Sequence, residues 1–247
     1  MIPARIANKH GIPTTMSYAL YSNSRLSRSY SSKPRKTLRS PDRDIAFRNQ
    51  YIARSKTTLV LRPFGSPQSA FAYKITEEDG TPQFTVTGRK YTDRSCREFR
   101  DDSGLPLFEL HRKWSWTNSW SVSLPGCDTA TIATGAPRWT LGNTSFGNFD
   151  LSFENAAAFQ GKRGDEKMLT LHIERHGNAL ALFDVVDGDR KVAEVRESIH
   201  HNEKLALMRG SRQGYRPAMD VIVMPGVDIS LVSTIAVIVS DWVFGSS

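Results

Sequence analysis

Basic side chains concentrate near two predicted hairpin ends, and their chemistry suits the recognition of anions. Arg89, Lys90 and Arg94 lie in "GRKYTDRS", and Arg112 with Lys113 ends the run "LPLFELHRK". A guanidinium group binds a phosphate through two parallel hydrogen bonds, so several cations at neighbouring hairpin ends can converge on one phosphate. These five residues are candidate phosphate ligands, and the alternative is that they are solvated surface charges.

The sequence contains no complete motif for catalysis or metal binding. Gly161 and Lys162 do not form a P-loop, because Ala156 stands where that motif requires a glycine. His172 and His176 in "HIERH" would aim at one metal on a helix, whereas on the strand that we predict they lie about 13 Å apart. We therefore expect a non-enzymatic protein with no catalytic residue, no metal site and no cofactor.

Carboxylates and thiols elsewhere in the chain also have ordinary explanations. Asp101 and Asp102 begin "DDSG", which is a typical hairpin turn rather than a catalytic pair. Cys96 and Cys127 are the two cysteines, and they lack the spacing of a zinc or redox motif. No apolar secretory segment precedes them, so we predict an intracellular protein with free thiols.

The positive charge of the chain is confined to its beginning. The formal net charge is +8, yet residues 1–41 hold eight basic side chains and no acidic one, and the remainder holds 25 of each sign. A neutral body removes the main electrostatic basis for binding nucleic acid. We expect no specific nucleic-acid partner.

Residues 1–50 are rich in Ser and Arg and read as a basic tail outside the folded domain. One interpretation is a disordered arm, because so few apolar residues cannot order it. A second is a mitochondrial targeting segment, because residues 1–41 contain no acidic residue and are rich in Arg and Ser, as such segments are. A third is an arm that contacts anionic lipid. Composition leaves all three open.

From Thr57 onwards, short alternating segments are separated by turn residues, which predicts antiparallel hairpins. Examples are "CREFR", "DDSG" and "LPLFELHRK", and later "ALALFDVV", "DGD" and "RKVAEVRES". The spacing indicates a sandwich or barrel of ten to twelve strands. Residues 125–167, rich in Gly, Thr, Ala and Asn, are predicted to be an elaborated loop with weak strands around "RWTL" and "FDLSF".

The chain ends with its most apolar segment, "PGVDISLVSTIAVIVSDWVF". Asp228 occupies the N-cap position of a predicted helix. The apolar residues occur on every face of that helix, and about 15 residues are too few to cross a bilayer core of about 30 Å. A helix that is apolar all round must be surrounded, and a closed β-barrel around it meets that demand. The predicted central helix is defined by Asp228, Ile229, Leu231, Val232, Ile235, Val237, Ile238 and Val239.

The combination of "PGVD" with this helix, "FRDDSGLPLFELHRK" and "WSV" resembles the LURP-one-related family. That family belongs to the tubby C-terminal-like group, together with the phospholipid scramblases. The resemblance extends from Thr57 to Phe244, apart from much of residues 125–167. It implies a mainly β fold, a closed antiparallel barrel of about twelve strands around a central hydrophobic C-terminal helix.

The resemblance also implies a function. Tubby proteins bind membrane phosphoinositides through basic barrel residues, so we expect a binding or scaffold domain whose partner is anionic membrane lipid or another protein. Such a domain would be a monomer, cytoplasmic and peripheral to membranes, without a transmembrane span. The alternatives are a scramblase-like protein whose helix inserts into lipid, and a mitochondrially targeted barrel.

Overall fold

The computed structural model describes residues 35–65, 72–88, 96–113, 119–138, 147–160, 167–176, 180–202 and 216–244. Within these ranges the chain forms twelve strands and one α-helix, α1, Ile229–Val243, and a compact unit begins at Lys36. The strands are β1 Thr57–Phe64, β2 Ala72–Glu77, β3 Pro82–Gly88, β4 Cys96–Asp101, β5 Pro106–Lys113, β6 Ser119–Leu124, β7 Cys127–Pro137, β8 Phe149–Glu154, β9 Met168–His176, β10 Leu182–Asp187, β11 Arg190–Glu197 and β12 Met219–Val223. Short 3-10 helices occur at Asn49–Tyr51 and Ala156–Gln160.

The strands form a closed antiparallel barrel. Each strand pairs with its neighbours along the chain, and β1 pairs with β12 in a register that runs from Thr57 opposite Val223 to Leu61 opposite Met219. Closure satisfies the backbone groups that an open sheet would expose at its edges. The predicted barrel of about twelve strands is confirmed.

Helix α1 fills the barrel. Every residue from Ser230 to Ser240 is buried, and the ring of Trp242 contacts that of Trp120 on β6, with centroids 5.1 Å apart. Burying an aliphatic side chain stabilises the fold by about 1.5 to 3 kcal/mol, so enclosure on all sides explains why this helix has no polar face. The predicted central helix is confirmed, and Asp228 is its N-cap, accepting the N–H groups of Ser230 and Leu231.

No helix among the described residues combines the length and the hydrophobicity that a membrane span requires. Leu231, Ile235 and Val239, on successive turns of α1, are fully buried against the barrel wall. The helix that the scramblase-like alternative would insert into lipid is thus enclosed by the barrel.

Residues 36–50, which the sequence analysis assigned to the tail, pack against the barrel instead. Ile45 and Ala46 are fully buried, and Ile45 donates its N–H to the carbonyl oxygen of Gly226 at 2.9 Å. The apolar residues of "DIAFRNQYIA" supply the buried surface that the preceding basic stretch lacks. The part of the tail prediction that concerns residues 1–34 lies outside the described residues.

Residues 125–167 also differ from the expected elaborated loop. They contribute two full barrel strands, β7 and β8, paired from Ala133 opposite Phe153 to Pro137 opposite Phe149. The strand predicted at "FDLSF" is β8, and β7 was not predicted. The strand predicted at "RWTL" is residues 138–141, of which 139–141 lie outside the described residues. Strand β7 was not predicted because its sequence is rich in Thr and Ala, and small residues weaken the alternation of apolar and polar side chains on which the prediction depended.

Candidate anion-binding rim

The barrel end at which α1 terminates carries the residues of interest. We call it the C-terminal rim and define it by Tyr73, Arg97, Arg112, Arg216 and Asp241. Because neighbouring strands run in opposite directions, β3 ends and β4 begins at this rim, and β5 ends and β6 begins there too. The paired ends are Gly88 opposite Arg97 and Lys113 opposite Ser119.

Asp241, in the last turn of α1, binds three side chains of the barrel wall. Arg97 on β4 donates Nε to Oδ2 and Nη2 to Oδ1, both at 3.0 Å, and Tyr73 on β2 donates its hydroxyl to Oδ1 at 2.7 Å. Arg216, just before β12, donates Nη1 to the same Oδ1 and to the Tyr73 oxygen. A single carboxylate thus connects the end of the helix to three parts of the wall.

The charged groups of this cluster are enclosed. The side chains of Arg97, Arg216 and Asp241 are 6%, 10% and 17% exposed, and the Asp241 carboxylate binds both guanidinium groups. The carboxyl end of a helix attracts cations, which favours guanidinium groups at this position. Burial raises the pKa of Tyr73, with the charge of Asp241 acting in the same direction and that of Arg216 opposing it, so this hydroxyl remains a neutral donor.

Arg112 is the one predicted ligand whose side chain the structure places. It is half-buried on β5 and pairs with Trp120, whose ring contacts Trp242 of the helix. Cross-strand partners share a face of the sheet, so Arg112 lies on the inner face of the rim. Leu110, two residues earlier on the same face, pairs with Arg97. Arg112 and Arg97 therefore occupy neighbouring inward positions.

The structure does not describe the side chains of the other four predicted phosphate ligands. Lys113 is in β5, but its side chain lies outside the described residues, as do Arg89, Lys90 and Arg94. The strand ends that flank the last three, Gly88 and Cys96, lie at the C-terminal rim. Sequence reasoning missed Arg97 and Arg216 as rim cations. The available signal was Arg97 itself, a charged residue on the same face of a strand as Phe99 in "CREFR".

The opposite end of the barrel is built around a buried carboxylate rather than around cations. Asp228 Oδ2 accepts the N–H groups of Phe47 and Arg48, both at 2.9 Å, and Oδ1 accepts the N–H and the hydroxyl of Ser230 at 2.6 and 2.7 Å. Burial raises the pKa of Asp228, and these hydrogen bonds act against that rise. The geometry of this end is that of a helix cap, and the named donors come from the chain itself.

The histidines and carboxylates that the sequence raised as chemical candidates have structural partners. His172 and His176 lie on β9, where His172 Nδ1 is 2.7 Å from Asp150 and His176 Nε2 is 3.1 Å from Asp184. Each histidine therefore contacts a different carboxylate. Asp101 accepts hydrogen bonds from the Ser103 hydroxyl and the Leu105 amide, which lower its pKa and confirm its role in the turn.

Comparison with known proteins identifies a family. The sequence matches the family model described as LURP-one-related over residues 57–241. A protein from Arabidopsis thaliana whose structure was determined by X-ray crystallography is similar, with a TM-score of 0.47 and 18% sequence identity, over 78% of this chain and 94% of that chain. Among curated proteins, none matches this sequence significantly.

Proposed function

The chain belongs to the LURP-one-related family, and from that premise we propose that it is a non-enzymatic binding module whose ligand is a phosphorylated headgroup of membrane lipid, a phosphoinositide. The observation that carries this proposal is the inner face of the C-terminal rim. There Arg97, Arg112 and Arg216 supply three guanidinium groups, and Asp241 supplies one carboxylate. An anion that approaches this rim meets three guanidinium groups, which are suited to binding phosphate bidentately.

Two further observations support the proposal. The strand ends that flank Arg89, Lys90 and Arg94, namely Gly88 and Cys96, lie at the same rim. The barrel interior, where a barrel enzyme would hold a substrate, is occupied by α1 and by aromatic side chains such as Phe149 and Trp242. Because the described interior is filled, we assign the lipid headgroup to the surface of the rim.

The test is flotation of the full-length protein with vesicles. The lipids are phosphatidylcholine alone, phosphatidylcholine with phosphatidylinositol bisphosphate, and phosphatidylcholine with phosphatidylserine at matched charge. We expect flotation with the phosphoinositide and much less with phosphatidylserine. Equal flotation in all three would refute the proposal. Binding of soluble inositol trisphosphate without flotation would show a phosphate site but would overturn the membrane assignment.

Matched variants locate the site. The double variant Arg112→Glu with Lys113→Glu should lose flotation. Its control is Arg54→Glu with Lys56→Glu, which makes the same change in net charge at exposed positions near the helix start. If both double variants lose binding equally, the effect is one of general charge, and the rim is not the site.

A further inference from the structure

We propose that Cys96, Glu109 and His111 form a binding site for a divalent transition metal ion, with Zn²⁺ the best match, on the outer face of the barrel. One donor atom from each side chain lies within 4.8 Å of the other two. This site is separate from the C-terminal rim, because the rim cations project inward. It does not depend on the proposed lipid-binding function.

The strand register brings the three side chains together. Cys96 on β4 lies directly opposite His111 on β5, and Glu109 is two residues before His111 on the same face. The other face of these strands is the core face, since the rings of Phe99 and Phe108 pack there with centroids 4.7 Å apart. The three potential ligands therefore share the outward face.

The donor geometry suits a tetrahedral metal. Glu109 Oε2 is 3.3 Å from His111 Nε2. Ligands at about 2.0 to 2.3 Å from a tetrahedral zinc ion lie roughly 3.3 to 3.6 Å from each other, so these two atoms already have the separation of two ligands of one ion. Thiolate, imidazole and carboxylate together favour zinc, whereas Mg²⁺ and Ca²⁺ prefer oxygen ligands alone.

The charge and the burial of the cluster also fit. Cys96 and Glu109 are 4% and 1% exposed, and the His111 side chain is 26% exposed. With Cys96 as the thiolate, the two buried anionic ligands neutralise a divalent cation, which removes the cost of enclosing unbalanced charge. The partly exposed imidazole marks the side from which the ion can enter.

Surrounding groups hold the carboxylate in place, as outer-shell partners do at metal sites. Gly126, in the turn between β6 and β7, donates its N–H to Glu109 Oε1 at 3.1 Å, while Oε2 faces His111. Ser123 stands opposite Glu109 on β6, and its buried hydroxyl makes no hydrogen bond among the described residues. Three protein ligands leave one tetrahedral position for water, which this hydroxyl is placed to bind.

The experiment is titration of full-length, chelator-treated protein with Zn²⁺ and with Co²⁺. We expect one equivalent of metal to bind, and the Co²⁺ form to show a thiolate-to-metal charge-transfer band. Cys96→Ser and His111→Gln should weaken binding by roughly a hundredfold or more, since even outer-shell partners contribute 10- to 100-fold. The controls are Cys127→Ser and His172→Gln, which change the other cysteine and another partly exposed histidine and should bind as the wild type does.

X-ray absorption of the zinc-loaded wild type keeps the test valid if a variant fails to fold. The expected coordination sphere has one sulfur at about 2.3 Å and nitrogen or oxygen at about 2.0 to 2.1 Å. A sphere without sulfur would overturn the proposal. So would the absence of stoichiometric binding by the wild type, or unchanged binding by a folded Cys96→Ser variant.

Discussion

The carboxylate of Asp228 accepts the backbone N–H of Phe47 at 2.9 Å, which joins the start of the terminal helix to a segment 181 positions earlier in the chain. The same oxygen accepts the N–H of Arg48, and the other oxygen caps the helix through Ser230. One buried side chain therefore satisfies donors from two parts of the chain that are far apart in sequence. The motif "PGVD" is explained by this double role.

Asp228→Ala should lower the free energy of unfolding by about 3 to 5 kcal/mol. The substitution removes a helix cap and leaves the buried amides of Phe47 and Ser230 and the partly buried amide of Arg48 without their acceptor. Each buried amide left without an acceptor costs about 1 to 3 kcal/mol before relaxation. Urea denaturation measures the change. The control is Asp189→Ala, at a side chain that is 96% exposed, which should change stability by less than about 0.5 kcal/mol. Similar losses for the two variants would contradict the assigned role of Asp228.

Two truncations should have opposite outcomes. Deleting residues 1–34 should leave the melting temperature nearly unchanged, because the contacts that cover the helix start come from Ile45, Phe47 and their neighbours. Deleting residues 1–50 removes those side chains from the core and should cost at least about 3 kcal/mol, at about 1.5 to 3 kcal/mol for each buried apolar side chain.

Thermal unfolding of both truncations decides the matter, and a stable protein without residues 1–50 would show that the segment only rests on the surface. The shorter truncation is also the correct one for testing localisation. It removes most of the basic stretch and spares the fold, so a change of compartment reports targeting rather than misfolding.

The sequence predicted the barrel and the helix because both depend on local patterns. Alternating segments with turns such as "DDSG" specify hairpins, and a helix without a polar face has to be enclosed. The segment 36–50 was assigned wrongly because its few apolar residues follow a long basic stretch. Their burial depends on Gly226 and Asp228, which are remote in sequence.

The proximity of Cys96, Glu109 and His111 could not be predicted from the sequence, because it depends on one extra residue in β5 that shifts the pairing with β4. Between Phe99 and Arg100 the pairing with β5 shifts by one position, from Phe99 opposite Phe108 to Arg100 opposite Pro106. A regular hairpin continued from the turn would have put Cys96 opposite Leu110, on the other face from His111. A β-bulge is a tertiary feature, and a one-residue shift moves every later side chain to the other face of the sheet.

Removing the negative charge of the rim cluster should cost more stability than removing one of its positive charges. Asp241→Asn leaves the guanidinium groups of Arg97 and Arg216 enclosed without their shared carboxylate, so it should cost about 3 to 5 kcal/mol. Arg97→Met should cost less, because Arg216 and Tyr73 still bind Asp241. Urea denaturation of the two variants gives the comparison, and a greater loss for Arg97→Met would contradict this account.

A surface pair provides the reference for that comparison. Lys167 Nζ lies 3.0 Å from Glu154 Oε1, and the two side chains are 62% and 46% exposed. Exposed pairs contribute about 0 to 1 kcal/mol, so Glu154→Gln should leave stability nearly unchanged. A large loss there would mean that the denaturation assay does not discriminate enclosed from exposed charges.

Tyr73 should make the stability of the fold fall at alkaline pH. Burial raises its pKa, so in the unfolded chain it loses its proton near the ordinary value of about 10, while in the folded protein it keeps it. The stability that the protonated Tyr73 hydroxyl contributes is therefore complete below pH about 10. Above that pH it is lost at about 1.4 kcal/mol per pH unit.

Tyr73→Phe should cost about 1 kcal/mol at pH 8, because the hydrogen bond to Asp241 is lost. The phenylalanine has no proton to lose, so the stability of the variant should not show this alkaline decrease. Urea denaturation of both proteins between pH 8 and 11 should show the difference in stability shrinking and then reversing. A constant difference across this range would mean that the Tyr73 hydroxyl ionises as readily in the barrel as in water.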